Sequence, residues 1–315
     1  MLTGYLAPEG FEADLRAELG AAVVAEHGRL LLAEGAPRPA AWAANIWQDV
    51  QEIPIASIGE AATKLKAMQR NWAAYAPLHH RRAKLIVEKL PHVSAKPLRF
   101  GQLPPAAPMG SFTLLAPDRL LAAPACSSPL PHGEWQFIED REGPPSRAYL
   151  KLWEALSRFA LLHDGAMPQP GEACLDLGAC PGGWTWVLAN LGASVGAVDK
   201  APLAPQVAAM PGVTWRQGSA FALDPRHEPA VDWLCSDVIC YPARLLALVQ
   251  RWIAAGKARR MVCTLKFQGE TDHATAAAFA AIPGSHLLHL HHNKHELTWL
   301  WQMSPASAYN FSSQE

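Results

Sequence analysis

The chain has 315 residues, half of them hydrophobic, with 27 Lys and Arg against 28 Asp and Glu and a formal net charge of −1. Such a length accommodates about two domains with cores of their own. The charge balance excludes a globally basic nucleic-acid binder, so any such contact rests on a local patch. The first ten residues lack a basic segment followed by an apolar core, and no apolar run reaches membrane-spanning length, which points to a cytosolic protein with no membrane partner. The six cysteines form no Cys-x-x-Cys pair and read as reduced core thiols.

In chain order, residues 1–35 read as a strand (Leu2–Leu6), a helix (Glu9–Leu19, with Phe11, Leu15 and Leu19 on one face) and two short strands meeting at His27-Gly28. An extended pattern over Asn45–Ile55 precedes a long helical region, Ser57–Pro91, interrupted near Pro77. Between residues 60 and 99 stand nine Lys or Arg against two acids, with Trp72, Tyr75, His79 and His80 among them. Such a mixture can contact phosphates through Lys64, Lys66, Arg81, Arg82 and Lys84 and stack on unpaired bases; a solvated helix face is the competing reading. The proline-rich stretch from Gly101 to Pro131 holds a hairpin, Ser111–Leu115 with Arg119–Ala123, expected to bridge two domains. The division expected is 1–100 for a smaller α+β domain that positions RNA, 101–144 for the bridge, 145–303 for a larger α/β domain and 304–315 for a tail.

The larger domain alternates strands near 173–177, 194–199, 213–216, 231–236, 259–266, 285–291 and 296–302 with helices between most of them, the pattern of a parallel sheet covered by helices. Only His292–His295 separates the last two strands, so these should pair antiparallel. The histidines at 286, 289, 291, 292 and 295 lack acidic or thiol partners at ligand spacing; they read as solvated or RNA-facing edge residues, with no metal site.

The chemistry concentrates in Glu172–Leu188. A strand ending at Leu177, a turn of small residues and a helix opening at Trp184 let a ligand approach backbone N–H groups at a helix start. Asp176 frames this loop, and Asp199, at the end of the next apolar run, can accept hydrogen bonds from a ribose diol. G-x-G-x-x-G is absent, and Cys180-Pro-Gly-Gly-Trp184 stands in its place, which disfavours a nicotinamide dehydrogenase. Ligands of an open parallel sheet sit beyond the strands' carboxyl ends. Asp237 and Lys266 end two strands there, and Glu296 begins the antiparallel one at the same edge, while Lys151 lies in a helix before the first strand, beside an apolar stripe of Ala148, Leu152, Ala155 and Phe159.

The string from Asp176 to Trp184 resembles the D-x-G-x-x-P-G-G-W/F loop of FtsJ-like ribose 2′-O-methyltransferases, and Lys151, Asp237, Lys266 and Glu296 match, in order, that family's Lys-Asp-Lys-Glu tetrad. Pro145-Ser-Arg and Pro242-Ala-Arg are similar to the RlmM-type ribosomal RNA methyltransferases within it, over about residues 145–302, with a fainter echo at Ala7–Glu12. The resemblance implies a class I, Rossmann-like domain with an antiparallel last strand. It implies S-adenosylmethionine as cofactor, held by Asp176, Gly178, Ala179, Pro181, Gly182, Gly183, Trp184, Asp199 and Asp237, and RNA, ribosomal by kind, as substrate, with no metal required. Lys266 would be the base or would steer the hydroxyl. A lysine acts as base only where positive charge or desolvation favours its neutral form, and Lys151 would supply such charge. Two departures are visible: the region before Ser146 is shorter than the part of RlmM-type proteins that holds a THUMP module, and Gly218-Ser219 replaces an acid near the adenine, leaving that contact to backbone amides or Ser219. The rival readings are a non-catalytic RNA-binding protein of the same fold and a methyltransferase for a small molecule or protein.

Overall fold

A computed structural model describes residues 1–304, so the expected tail lies outside the described residues from 305 onward. The chain divides into two compact units, Met1–Gln136 and Phe137–Glu315.

The first unit runs β1 (Leu2–Leu6), α1 (Glu12–Leu19), β2 (Val23–His27), β3 (Leu30–Glu34), β4 (Asn45–Gln48), β5 (Gln51–Pro54), α2 (Ile58–Met68), β6 (Trp72–Ala74), α3 (His80–Val87), β7 (Gly110–Ala116), β8 (Arg119–Ala123) and β9 (Ala125–Cys126). Two sheets result, in the orders β2-β3-β1-β4-β9 and β5-β8-β7-β6. Leu6, Leu30 and Trp47 build one core, and Leu65, Trp72, Ile86 and Phe112 another. Helix α1 begins three residues later than expected, because the chain turns at Gly10, whose φ of +84° lies in the left-handed region.

Two larger expectations are corrected here. The helical region from Ser57 breaks before Pro77: Ser57 caps α2 by accepting the N–H of Glu60, but past Met68 the buried Trp72 donates its indole N–H to the carbonyls of Leu65 and Gln69. That contact folds the chain back into β6, parallel to β7, a pairing that local helix propensity cannot foresee. The hairpin β7–β8 exists, yet it is no bridge; β8 pairs with β5 and β7 with β6, so it completes the first unit's second sheet.

The second unit runs α4 (Tyr149–Leu162), β10 (Ala173–Leu177), α5 (Gly183–Asn190), β11 (Ser194–Asp199), α6 (Pro205–Ala208), β12 (Val213–Gln217), β13 (Val231–Ser236), α7 (Pro242–Ala254), β14 (Ala258–Lys266), α8 (His273–Ala280), β15 (Ser285–Leu288) and β16 (Glu296–Gln302). Its sheet has seven strands in the order β12-β11-β10-β13-β14-β16-β15, all parallel except β16. This is the expected α/β, Rossmann-like architecture with an antiparallel last strand. The chain winds outward from β10 in one direction and returns through β13 to wind in the other, and a crevice opens at that reversal. Central strands β13 and β14 are buried along most of their length, as a sheet covered on both faces demands. Strand β15 stops at Leu288 rather than at 291, since the N–H groups of His291 and His292 donate to the Glu154 carboxylate instead of a ladder partner.

Candidate functional site

The loop after β10 needs its glycines for identifiable reasons. At Gly178 φ is +80°, and a Cβ there would lie 2.7 Å from the Cβ of Val238, so both conformation and space require glycine. A Cβ on Gly183, the first residue of α5, would lie 2.9 Å from the Ser146 hydroxyl. The Cys180–Pro181 peptide is cis. Asp199 ties the loop down: one carboxylate oxygen accepts the N–H of Cys180 at 3.0 Å and the other that of Ala201 at 2.9 Å. Each oxygen keeps a second lone pair for a ligand.

Asp176 is buried beneath the loop. Thr185 donates its hydroxyl to Oδ2 at 2.6 Å, while Oδ1 is enclosed without a partner. Burial, outweighing the Thr185 bond, pushes this carboxyl up to about 7. An acceptor enclosed at the base of a crevice is suited to a donor brought by a ligand.

Above these residues opens a cleft of about 430 Å³, lined by Asp176, Gly178, Ala179, Pro181, Gly183, Trp184, Asp199, Ser219, Asp237 and Lys266. Cofactor sites commonly span roughly 300–1,000 Å³. Two expected cofactor residues also hold the loop in place, one of them from outside the lining. Gly182 packs against Val207 of α6, where a Cβ would come within 2.9 Å, so it shapes the loop from outside the lining. Trp184 is 2 % exposed and donates its indole N–H to Ala148 at the start of α4, which pins that helix to the loop. Residues that sequence reasoning missed also line the cleft: Ser146, Lys200, Phe221, Val238, Ile239 and Arg244. Of these Ser146 and Arg244 stand in the strings Pro145-Ser-Arg and Pro242-Ala-Arg; Arg244 lies over the Phe221 ring at 3.9 Å.

At one end of the cleft the four charged residues meet. The Lys151 ammonium lies 2.9 and 2.8 Å from the two Asp237 carboxylate oxygens and 3.1 Å from Glu296 Oε1. Lys266 Nζ lies 3.1 Å from Asp237 Oδ1 and donates to the Asp237 backbone carbonyl at 2.6 Å. Cross-strand register sets part of this, because Lys266 and Glu296 are directly paired on β14 and β16. The side chains are 10–19 % exposed, so their attractions are weakly screened. Burial draws Lys151 toward neutrality, but Asp237 and then Glu296 override it and hold its value above that of an ordinary lysine. Asp237 and Lys266 line the cleft, with Lys151 and Glu296 behind them.

One turn beyond Lys151, Glu154 is fully buried. It pairs with Arg158 at 2.8 Å and accepts the N–H groups of His291 at 2.9 Å and His292 at 3.2 Å. One helix thus supplies a charge to the site and holds the loop that delivers Glu296. The edge histidines are not uniformly solvated: His289 is 4 % exposed, bonds the Lys294 carbonyl, and is lowered by burial to about 4. Among the described residues no group of three or more His, Cys, Asp or Glu could hold a metal, and no helix is long and apolar enough to cross a membrane.

The basic stretch of the first unit is less organised. Lys64 is taken up by Glu60 at 2.7 Å and by the Pro54 carbonyl, and Arg82 is half-buried, while Lys66, Arg81 and Lys84 are exposed. Trp72 is buried, and the Tyr75 hydroxyl accepts the Arg29 N–H at 2.6 Å, so the expected stacking aromatics are occupied internally.

Comparison with known proteins agrees with the resemblance read from the motifs. Residues 144–260 match the family model described as FtsJ-like methyltransferase. A ribosomal RNA large subunit methyltransferase M from Halorhodospira halophila is 40% identical over 159 residues, covering 49% of this chain and 46% of that protein. Its counterpart from Aromatoleum aromaticum is 43% identical over 124 residues, covering 38% and 33%. The chain therefore spans less than half the length of these curated relatives. A solved ribosomal RNA methyltransferase from Plasmodium falciparum, described as putative, aligns with 50% of this chain and 96% of its own at 16% identity and a TM-score of 0.37.

Proposed function

We propose that this chain, FtsJ-like over residues 144–260, is an S-adenosylmethionine-dependent ribose 2′-O-methyltransferase acting on ribosomal RNA in the cytoplasm. The observation that carries the reading is the bonded Lys151–Asp237–Lys266–Glu296 cluster at the mouth of a glycine-shaped cleft.

The cleft fits the cofactor on two counts. Asp176 offers an enclosed carboxylate oxygen without a partner, and beside it opens a cleft of about 430 Å³ with Asp199 in its lining. Asp176 would receive a polar donor of the cofactor, Asp199 its ribose diol, and Ser219 with neighbouring amides its base. Bound S-adenosylmethionine supplies a methyl group on a sulfonium, ready for in-line displacement.

The protein's own work is to present the hydroxyl and manage its proton. An ammonium has three donors. Two of those on Lys266 are engaged by Asp237, which leaves the third position directed into the cleft for the acceptor oxygen. As an ammonium, Lys266 orients the hydroxyl by donating to its oxygen; to take the hydroxyl proton it first gives one of its own to solvent, and the neutral amine then accepts the proton as the O–CH3 bond forms and the S–CH3 bond breaks. Asp237 fixes Lys266, Lys151 fixes Asp237 as a permanent cation, and Glu296 fixes Lys151, so the group is preorganised before substrate arrives. The exposed Lys66, Arg81 and Lys84 would add phosphate contacts. The deciding experiment is mapping of ribose methylation in ribosomal RNA from cells with and without this protein. A site lost on deletion and restored by the wild type, but not by Lys266→Ala, supports the reading; an unchanged map removes it.

A further inference from the structure

Between β13 and α7 the segment Val238-Ile-Cys-Tyr241 leads away from Asp237 and bends at Cys240. Its side chains alternate between inside and outside. Val238 turns in against Gly178 and Cys240 is buried, while Ile239 is 76 % and Tyr241 66 % exposed. Scattered apolar side chains at a surface need no account, but here Ile239 lines the cleft and Tyr241 is exposed in the chain between two lining residues, Ile239 and Arg244. Tyr241 is also held rigidly. The residue before a proline is driven from the helical region, and Tyr241, preceding Pro242, has φ −66° and ψ 141°. Its carbonyl then accepts the N–H groups of Arg244 at 3.0 Å and Leu245 at 3.3 Å in the first turn of α7.

The surroundings select the occupant. Ile239 shares the cleft wall with Asp237, Lys266 and the exposed Arg244, whose guanidinium lies over Phe221. Aromatic and aliphatic faces held out beside cationic groups suit an unpaired base joined to phosphates. We infer that Ile239 and Tyr241 form a stacking platform for an RNA base, holding the acceptor nucleotide so that its ribose lies over Lys266. Because the ring is presented from a fixed backbone, little ordering cost opposes the stack. The inference rests on the ribose-methyltransferase reading and adds that the acceptor nucleotide is unpaired when bound.

The test uses the full chain and ribosomal RNA from cells lacking it. Tyr241→Ala should raise KM for RNA roughly 5- to 150-fold, the equivalent of one base–aromatic stack, with kcat, S-adenosylmethionine affinity and Tm unmoved. Tyr241→Phe should stay near wild type, and Ile239→Ala should raise KM less. A wild-type KM in Tyr241→Ala overturns the platform while sparing the methyltransferase reading. Equal losses in Tyr241→Phe and Tyr241→Ala would point to a hydroxyl contact and also overturn it, as would a fall in kcat accompanied by a lower Tm. Failure of the wild type to methylate any ribosomal RNA, with cofactor binding intact, would remove both the platform and the reading beneath it.

Discussion

The carboxyl edge of the seven-stranded sheet and the stretch from Ser57 to Pro91 both concentrate charge, yet they are built on different principles. At the edge, four charges are delivered by strand ends and one helix, are joined by ion pairs of 2.8–3.1 Å and are 10–19 % exposed. In the basic stretch Lys66, Arg81 and Lys84 project separately into water, and the ion pair of Lys64 with Glu60 is more than one-third exposed on both sides. Mutual geometry in a water-poor setting produces directed chemistry, whereas solvated charges add a diffuse attraction that salt weakens. Single substitutions should therefore be severe at the edge and mild in the stretch.

The sharpest break is at Lys266. Lys266→Ala should lower single-turnover methyl transfer by at least about 10²–10⁴-fold, the usual size of general acid–base assistance, with cofactor affinity nearly intact. Lys266→Arg keeps the charge but holds its proton at neutral pH. If it retains most activity, Lys266 positions the hydroxyl rather than taking its proton.

Glu154 extends the edge into the interior. Glu154→Ala removes the buried carboxylate that pairs with Arg158 and accepts two backbone N–H groups, so it should cost about 3–5 kcal/mol of stability, read by urea unfolding. Activity per folded molecule should fall too, because the loop before Glu296 loses its anchor. A loss under about 1 kcal/mol would mean that the clamp is not needed.

Asp199→Ala should weaken S-adenosylmethionine binding by about 1.5–3 kcal/mol, as for other hydrogen bonds to charged groups. Calorimetry on the folded variant checks it, and an unaltered affinity would remove Asp199 from the cofactor site. For the basic stretch, joint replacement of Lys64, Lys66, Arg81, Arg82 and Lys84 by Gln should flatten the salt dependence of RNA binding. Only three are freely exposed, so a loss of about 2 in the slope is expected rather than the roughly 3.5 of five independent phosphate contacts on a single strand. No change would make the stretch a solvated face.

The crevice should also respond to pH. Asp176 is raised from 3.8 to about 7 by burial. Between those values the folded protein binds more protons than the unfolded chain, so stability declines as pH rises from about 4 through about 7. Asp176→Asn should flatten that decline in cofactor-free protein. Should a cofactor donor meet the enclosed oxygen, S-adenosylmethionine binding by the wild type should strengthen with pH through the same window, and the Asn variant should lose that dependence.

The crevice was legible in the sequence because its signals are local or periodic. A strand–glycine turn–helix string needs no distant partner to be recognised, and strands that alternate with helices bring Asp237, Lys266 and Glu296 to one edge by direction alone. The antiparallel β15–β16 pair followed from the same reasoning, though the early end of β15 did not. What the tertiary structure alone decided depends on partners far apart in the chain. Trp72 turned an expected helix into β6 by reaching back to Leu65 and Gln69. The β7–β8 hairpin joined a sheet through β5 and β6. Glu154, a plain helical acid by sequence, became a buried clamp on a loop 137 residues away. Propensity and periodicity describe what a segment can become, but the cost of leaving a buried indole, carboxylate or backbone N–H without a partner is settled only when the remote partner arrives.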